Sequence, residues 1–99
     1  MIRHIVLWKF LDEAAGKPKE ANLRAAKEQL ERLPEAIPEI LSFEVGISVG
    51  DTSHDLALNS TFASPEALAR YQNHREHLRV VEFLRTVHGG KAVVDYAIS

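Results

Sequence analysis

Three side chains that can transfer or share a proton are spaced three residues apart in one predicted helix. Tyr71, His74 and His77 lie in the stretch ALARYQNHREH at residues 67–77. An imidazole titrates near neutral pH, so it can accept and return a proton, and a phenol can donate a hydrogen bond to a developing oxyanion. Three interpretations are open: a proton-transfer site, a metal site, or side chains that only pack.

A fourth candidate, His4, lies in the middle of an apolar stretch that is predicted to be a strand. Side chains alternate along a strand, so His4 can meet Tyr71 and His77 only if its face is turned toward the helices. His77 shares a helical face with apolar residues and is predicted to point inward, as the base that removes a proton beside a carbonyl. His4 or Tyr71 would then donate to the enolate oxygen. The structural alternative is that both histidines fasten a helix to the sheet while Tyr71 packs in the core.

A small-molecule pocket is expected between the sheet and the helices. The spacing of His74 and His77 opposite His4 is compatible with a divalent metal, but spacing fixes no further ligand, so we predict neither a metal nor another cofactor. His74 is also expected to be exposed beside Arg75. The residues expected to line the pocket are Val6, Trp8, Leu23, His74 and Val81.

The hydrophobic pattern predicts four strands and two helical regions in the order β-α-β-β-α(α)-β. This order is typical of a ferredoxin-like α+β fold with a four-stranded antiparallel sheet. Pro34 is expected to end the first helix, and a bend or break is expected near Asn73. Gly89 and Gly90 are expected to end the second helical region. The predicted segments are strand 2–10, helix 18–33, a hairpin of strands 40–49 and 54–62, helix 65–87 and strand 92–98.

Helices in this fold cover only one face of the sheet. The other face would expose Ile5, Leu7 and parts of neighbouring strands, and an apolar surface of that size rarely stays in water. We therefore expect a second copy of the chain to cover it, which gives a homodimer in the form of a dimeric α/β barrel.

The chain resembles a known family, the stress-responsive A/B barrel domain (Dabb) family of dimeric α+β barrels. The resemblance is carried by HIVLWKF at 4–10, LPEAIPEILSFEVG at 33–46 and DLALNSTFASPEALARYQNHREHLRVVEF at 55–83. Family members usually show Tyr-x-x-His-Pro-x-His, and Arg75 stands here where proline is usual, which favours a smoother bend between the helices. The resemblance implies a homodimer. It also implies a likeness to a plant polyketide cyclase whose working residues match His4, Tyr71 and His77.

Composition narrows the remaining possibilities. The chain has 99 residues, a formal net charge of −2 and no cysteine. This length predicts one domain spanning residues 1–99, and the mixed charges predict no nucleic-acid partner. The absence of cysteine fits a reducing compartment, so a cytoplasmic location is expected. The opening stretch is too short to span a membrane, and neither a membrane partner nor a signal peptide is predicted.

Three functions stay open at this stage. The first is a cofactor-free cyclase or lyase that acts on a carbonyl compound by histidine acid–base chemistry. The second is a non-catalytic dimeric protein that binds a small apolar ligand or serves in stress tolerance. The third is a haem- or metal-dependent monooxygenase, which rests on fold analogy alone.

Overall fold

The structure, a computed structural model, describes residues 1–98 of the chain. It confirms the ferredoxin-like α+β fold. The sheet has four strands in the order β4-β5-β1-β6, and every neighbouring pair is antiparallel. The elements are β1 (Ile2–Phe10), β2 (Glu13–Ala14), β3 (Lys17–Pro18), α1 (Lys19–Glu31), α2 (Leu33–Ala36), β4 (Ser42–Ile47), β5 (Leu56–Phe62), α3 (Pro65–Asn73), α4 (Arg75–Val87) and β6 (His88–Ala97).

The central strand β1 has an inner face covered by the helices and an outer face that the helices leave open. Its inner residues His4, Val6 and Trp8 are buried, whereas Ile5 and Leu7 on the outer face are only half-buried. The period of two follows from the pleat of the strand. This confirms the predicted strand and its orientation, with His4 toward the helices.

The helices close the core over the inner face. The apolar stripe of α1, formed by Leu23, Ala26 and Leu30, is buried as its periodicity predicts. Pro34 does not itself end the first helix: α1 ends at Glu31, two residues before the predicted end at residue 33, and Pro34 lies in the first turn of the short helix α2. Proline is suited to a first turn because its φ is already helical and its missing N–H needs no partner there.

A small hairpin between β1 and α1 was not predicted. β2 and β3 are joined by a two-residue turn in which Ala15 and Gly16 have positive φ angles of 53° and 76°. Asn22, buried on α1, donates hydrogen bonds to the carbonyls of Ala14 at 2.9 Å and Lys17 at 3.4 Å. The polar side chain in the helix stripe therefore fastens this hairpin to α1.

The last strand begins earlier than predicted. β6 starts at His88, directly after α4, so both glycines lie within the strand and not before it. A Cβ at Gly89 would come within 2.9 Å of Leu11 Cδ2, the end of an exposed and flexible side chain that would have to move aside. No helix within residues 1–98 is long and apolar enough to cross a membrane.

Candidate functional site

A cavity of about 370 Å³ lies between α4 and the inner face of the sheet. Cavities of this size can hold a small organic ligand. Most of its wall is aliphatic or aromatic, and the two predicted residues Val6 and Trp8 on β1 lie in it, as does Val81 on α4. The polar side chains of the wall are His4, Tyr71, Gln72, His77, Arg85, His88 and Lys91.

His4 is held in the wall by the neighbouring strand. It is the direct cross-strand partner of Asp95 in β6, and its Nδ1 is hydrogen-bonded to the Asp95 carboxylate. A carboxylate only accepts, so Nδ1 carries the proton of this bond. The bond fixes the orientation of the buried ring and leaves Nε2 for a ligand.

Tyr71 lies near the end of α3 and is 1 % exposed. Its ring packs against Phe62, with the ring centroids 4.9 Å apart, and lies 6.2 Å from the ring of His4. Burial raises the pKa of the Tyr71 phenol, so it stays protonated across the physiological range. None of the hydrogen bonds found within residues 1–98 involves its hydroxyl, which lies at the cavity wall and is available as a donor.

His77 lies in the first turns of α4, with its ring centroid 4.4 Å from that of Tyr71. Its Nδ1 donates to the backbone carbonyl of Gln72 at 2.9 Å. Because a carbonyl cannot donate, the neutral imidazole carries its proton on Nδ1 and its lone pair on Nε2. Burial lowers the pKa of His77; the hydrogen bond to Gln72 opposes this shift, and the proximity of His4 and Lys91 lowers the pKa further. The ring is therefore neutral at pH 7 and can act as a base.

Two residues expected in the pocket lie elsewhere. Leu23 is buried in the core against the sheet and is not part of the cavity wall. His74 is only partly buried and lies between the two helices, where its Nδ1 accepts a hydrogen bond from the backbone N–H of Glu76 at 3.1 Å. It caps the start of α4, a structural role that competes with ligand binding at the same nitrogen.

The break at His74 is sharper than Arg75 led us to expect. His74 has φ −68° and ψ 138°, an extended conformation between two helices. The expectation of a smoother bend was wrong because the side chain of His74 supplies the cap that stabilises a new helix start without proline.

Sequence reasoning missed several polar residues of the site. The partner of His4, Asp95, could be identified only once the register of β1 against β6 was known. Arg85, His88 and Lys91 were not assigned to the cavity because their elements meet only in the folded chain. Within residues 1–98, no group of three or more His, Cys, Asp or Glu side chains is arranged to hold a metal ion.

The sequence model of the family described as "Stress responsive A/B Barrel Domain" (Dabb) matches residues 2–98, and the chain belongs to this family. No curated protein matches the sequence.

The fold is shared with several solved structures. A dimeric protein of unknown function from Bacteroides fragilis, with a ferredoxin-like fold, is 31 % identical, with a TM-score of 0.89 over 98 % of this chain and 95 % of that one. A dimeric ferredoxin-like protein of unknown function from Thermobifida fusca is 23 % identical, with a TM-score of 0.84 over 98 % and 90 %. A hydroxynitrile lyase from Passiflora edulis is 20 % identical, with a TM-score of 0.81 over 99 % and 93 %.

Proposed function

We propose that this Dabb protein is a cofactor-free enzyme that removes a proton from a carbon next to a carbonyl group, as a cyclase or lyase does. His77 is the base, and the Tyr71 hydroxyl is the donor to the carbonyl oxygen. His4 faces the same oxygen and can donate to it from Nε2 only in its doubly protonated form, because its Nδ1 proton is bonded to Asp95. The proposal rests on the residues of the site and not on the activity of the hydroxynitrile lyase, since an identity of 20 % shows the fold alone.

The proposed step uses the neutral form of His77. Its Nε2 takes the proton, the electrons of the C–H bond form the carbon–carbon double bond of an enolate, and the carbonyl electrons move to oxygen. The Tyr71 hydroxyl donates a hydrogen bond to that oxygen, which spreads the developing charge. The enolate then either takes a proton back from His77 at carbon or, as in a cyclisation, attacks a second carbonyl carbon. In the second case the π electrons of that carbonyl move to its oxygen, which takes the proton held by His77 Nε2.

One observation carries the choice of catalysis over a purely structural role. Buried polar groups in a core normally have partners, and His77 Nδ1 and His4 Nδ1 do have them. The groups that face the cavity do not: the Tyr71 hydroxyl has no hydrogen bond within residues 1–98, and His77 Nε2 keeps its lone pair. The hydrogen bonds at Nδ1 of His4 and His77 fix the two rings so that their Nε2 atoms face the cavity.

The experiment is proton exchange in a simple methyl ketone. 2-Nonanone is incubated in D₂O with the protein, and loss of the α-proton signals is followed by NMR. His77→Gln keeps a donor for the Gln72 carbonyl but removes the base, so exchange should slow by about 10²-fold or more. His54→Gln, in the loop before β5 and outside the cavity wall, is the matched control and should exchange at the wild-type rate.

One outcome for His77→Gln would contradict the proposal. If His77→Gln lowers the melting temperature and leaves the exchange rate intact, then His77 only fastens α4 to the rest of the fold. The protein would then fit the alternative function, a non-catalytic domain that binds a small apolar ligand.

We also propose that the chain forms a homodimer through the outer face of the sheet. Val94 and Tyr96 on this face are 53 % and 45 % exposed, next to Ile5 on β1. On the same face the Arg3 Nε is buried without a partner in residues 1–98, a cost that an acceptor from a second copy would remove. The Bacteroides fragilis relative is itself described as dimeric. Since the chain contains no cysteine, we place this dimer in the cytoplasm.

A further inference from the structure

One end of the cavity is basic. Arg85 near the end of α4, His88 at the junction with β6, and Lys91 on β6 all contribute to its wall. No aspartate or glutamate side chain belongs to this wall within the described chain. The cavity thus joins an apolar middle to an end that carries two permanent positive charges at neutral pH.

Along both β6 and α4, the basic end of the cavity lies a similar distance from the end that holds His4 and His77. Lys91 is the cross-strand partner of Trp8, so it shares the inner face of β6 with Asp95, four residues later and about 13 Å along the strand. Arg85 follows His77 by eight residues on α4, about 12 Å along the helix axis. Between them the wall is aliphatic, formed by Val81, Leu84 and Val93 among others.

These cations have no internal counter-charge. Some other basic side chains are paired, as Lys27 is with Glu31 at 3.0 Å and Arg70 is with Glu39 at 3.1 Å. None of the ion pairs found in residues 1–98 involves Arg85 or Lys91. The charge of Lys91 also lowers the pKa of both His77 and His88.

We propose that Arg85, His88 and Lys91 form an anion subsite that binds the carboxylate of a ligand whose apolar chain fills the cavity toward His77. Arg85 and Lys91 supply charge, and neutral His88 supplies a hydrogen bond. The substrate class that fits is a medium-chain oxo acid, with its carboxylate at one end and its reacting carbonyl about one cavity length away. The assignment of the carbonyl rests on the proposed function, whereas the assignment of the carboxylate does not.

Calorimetric binding of two probes of equal chain length tests the subsite. Nonanoate carries the carboxylate, and 2-nonanone carries no charge. Wild-type protein should bind nonanoate more tightly, and Lys91→Met should weaken nonanoate binding about tenfold while leaving 2-nonanone binding unchanged. Arg85→Met should act in the same direction. Lys17→Met, in the exposed hairpin β2–β3, removes an equal charge from a residue that is not part of the cavity wall and should leave both affinities at wild-type values.

Three outcomes overturn the subsite: no binding of nonanoate, equal affinity for the two probes, or an unchanged nonanoate affinity in Lys91→Met. A control for folding is the thermal melting of each variant, which these surface changes should leave near the wild-type value. The readout is binding alone, so it separates this inference from the proposed catalysis. If the protein binds nonanoate through Lys91 but does not catalyse proton exchange in 2-nonanone, the anion subsite is supported and the proposed catalytic function is contradicted.

Discussion

The rings of Tyr71 and His77 lie 4.4 Å apart across the break between α3 and α4. On one continuous helix these residues would be about 9 Å apart along the axis and about a third of a turn apart around it. The extended conformation of His74 turns α4 relative to α3 and brings the two rings together. The site therefore depends on a backbone break that the helix sequence only partly predicts.

Arg75→Pro should stabilise the protein. His74 already has the extended backbone that a following proline requires, and Arg75 is the first residue of α4, where the N–H has no helical partner. Fixing φ there reduces the freedom of the unfolded chain, so the free energy of unfolding should rise by about 0.4–1 kcal/mol. Urea denaturation measures it.

A proline one turn later provides the contrast. Arg79→Pro, in the interior of α4, removes a helical hydrogen bond and should cost about 3 kcal/mol. If Arg75→Pro destabilises the protein as well, then the break at His74 is not present in the native chain, and the approach of Tyr71 to His77 loses its basis.

Asp95→Asn should slow proton exchange without unfolding the protein. The side chain is partly exposed, so loss of its charge should leave the core packed. An amide no longer holds the His4 ring as a carboxylate does, because it can present its NH₂ group to Nδ1 and favour the other tautomer. We expect 2-nonanone exchange to fall about tenfold or more, in line with the loss of a positioned acid–base group.

Asp51→Asn is the control for this variant, because Asp51 lies exposed in the turn before β5. The two variants should melt at similar temperatures and differ only in exchange. Equal exchange rates for the two would remove His4 from the mechanism and leave the His4–Asp95 bond as a tie between β1 and β6.

The stability of the protein should fall as the pH drops from 7 toward 5. Burial lowers the pKa of His77 below the ordinary value of about 6.5, so in that window the unfolded chain binds more protons than the folded one. Protonation therefore favours unfolding. His77→Gln should flatten this dependence, as measured by urea denaturation at several pH values.

His88 contributes in the same direction, because burial and the charge of Lys91 lower its pKa too. The double variant with both histidines replaced by glutamine should be flatter than either single variant. A proton titration by NMR adds a second check: Lys91→Met should raise the pKa of His77. A pH dependence that is identical in wild type and His77→Gln would show that His77 is not buried as described.

Charge on the outer face of the sheet should split the homodimer. Val94→Arg places a charge in the middle of the proposed interface, and sedimentation at micromolar concentration should change from dimer to monomer. Leu78→Arg, which adds the same charge to an exposed position on α4, should stay dimeric. A wild-type protein that sediments as a monomer contradicts the interface.

Much of the fold follows from local pattern. The alternation in β1 and the stripe of α1 each depend on a period that the sequence displays, and both were predicted correctly. The start of β6 was missed because glycines after a helix suggest its end, whereas here the chain from His88 onward pairs with β1, which lies at the other end of the sequence.

The positions of the site residues could be predicted only for residues that lie on the same helix or strand. His77 and Val81 share a helix face, so their inward orientation could be derived from the sequence. The pairing of His4 with Asp95 depends on strand register, and the gathering of Arg85 and Lys91 depends on how α4 crosses β6. The capping role of His74 was missed because histidine is an uncommon cap.

The most direct test of the central claim compares the protein with free imidazole, the side-chain group of His77, in water. The rate of α-proton exchange in 2-nonanone is measured at pH 7 with wild-type protein and with free imidazole at the same concentration. If His77 acts as a positioned base beside Tyr71, the protein should be faster by about a hundredfold or more. A protein no faster than imidazole would contradict catalysis at this site.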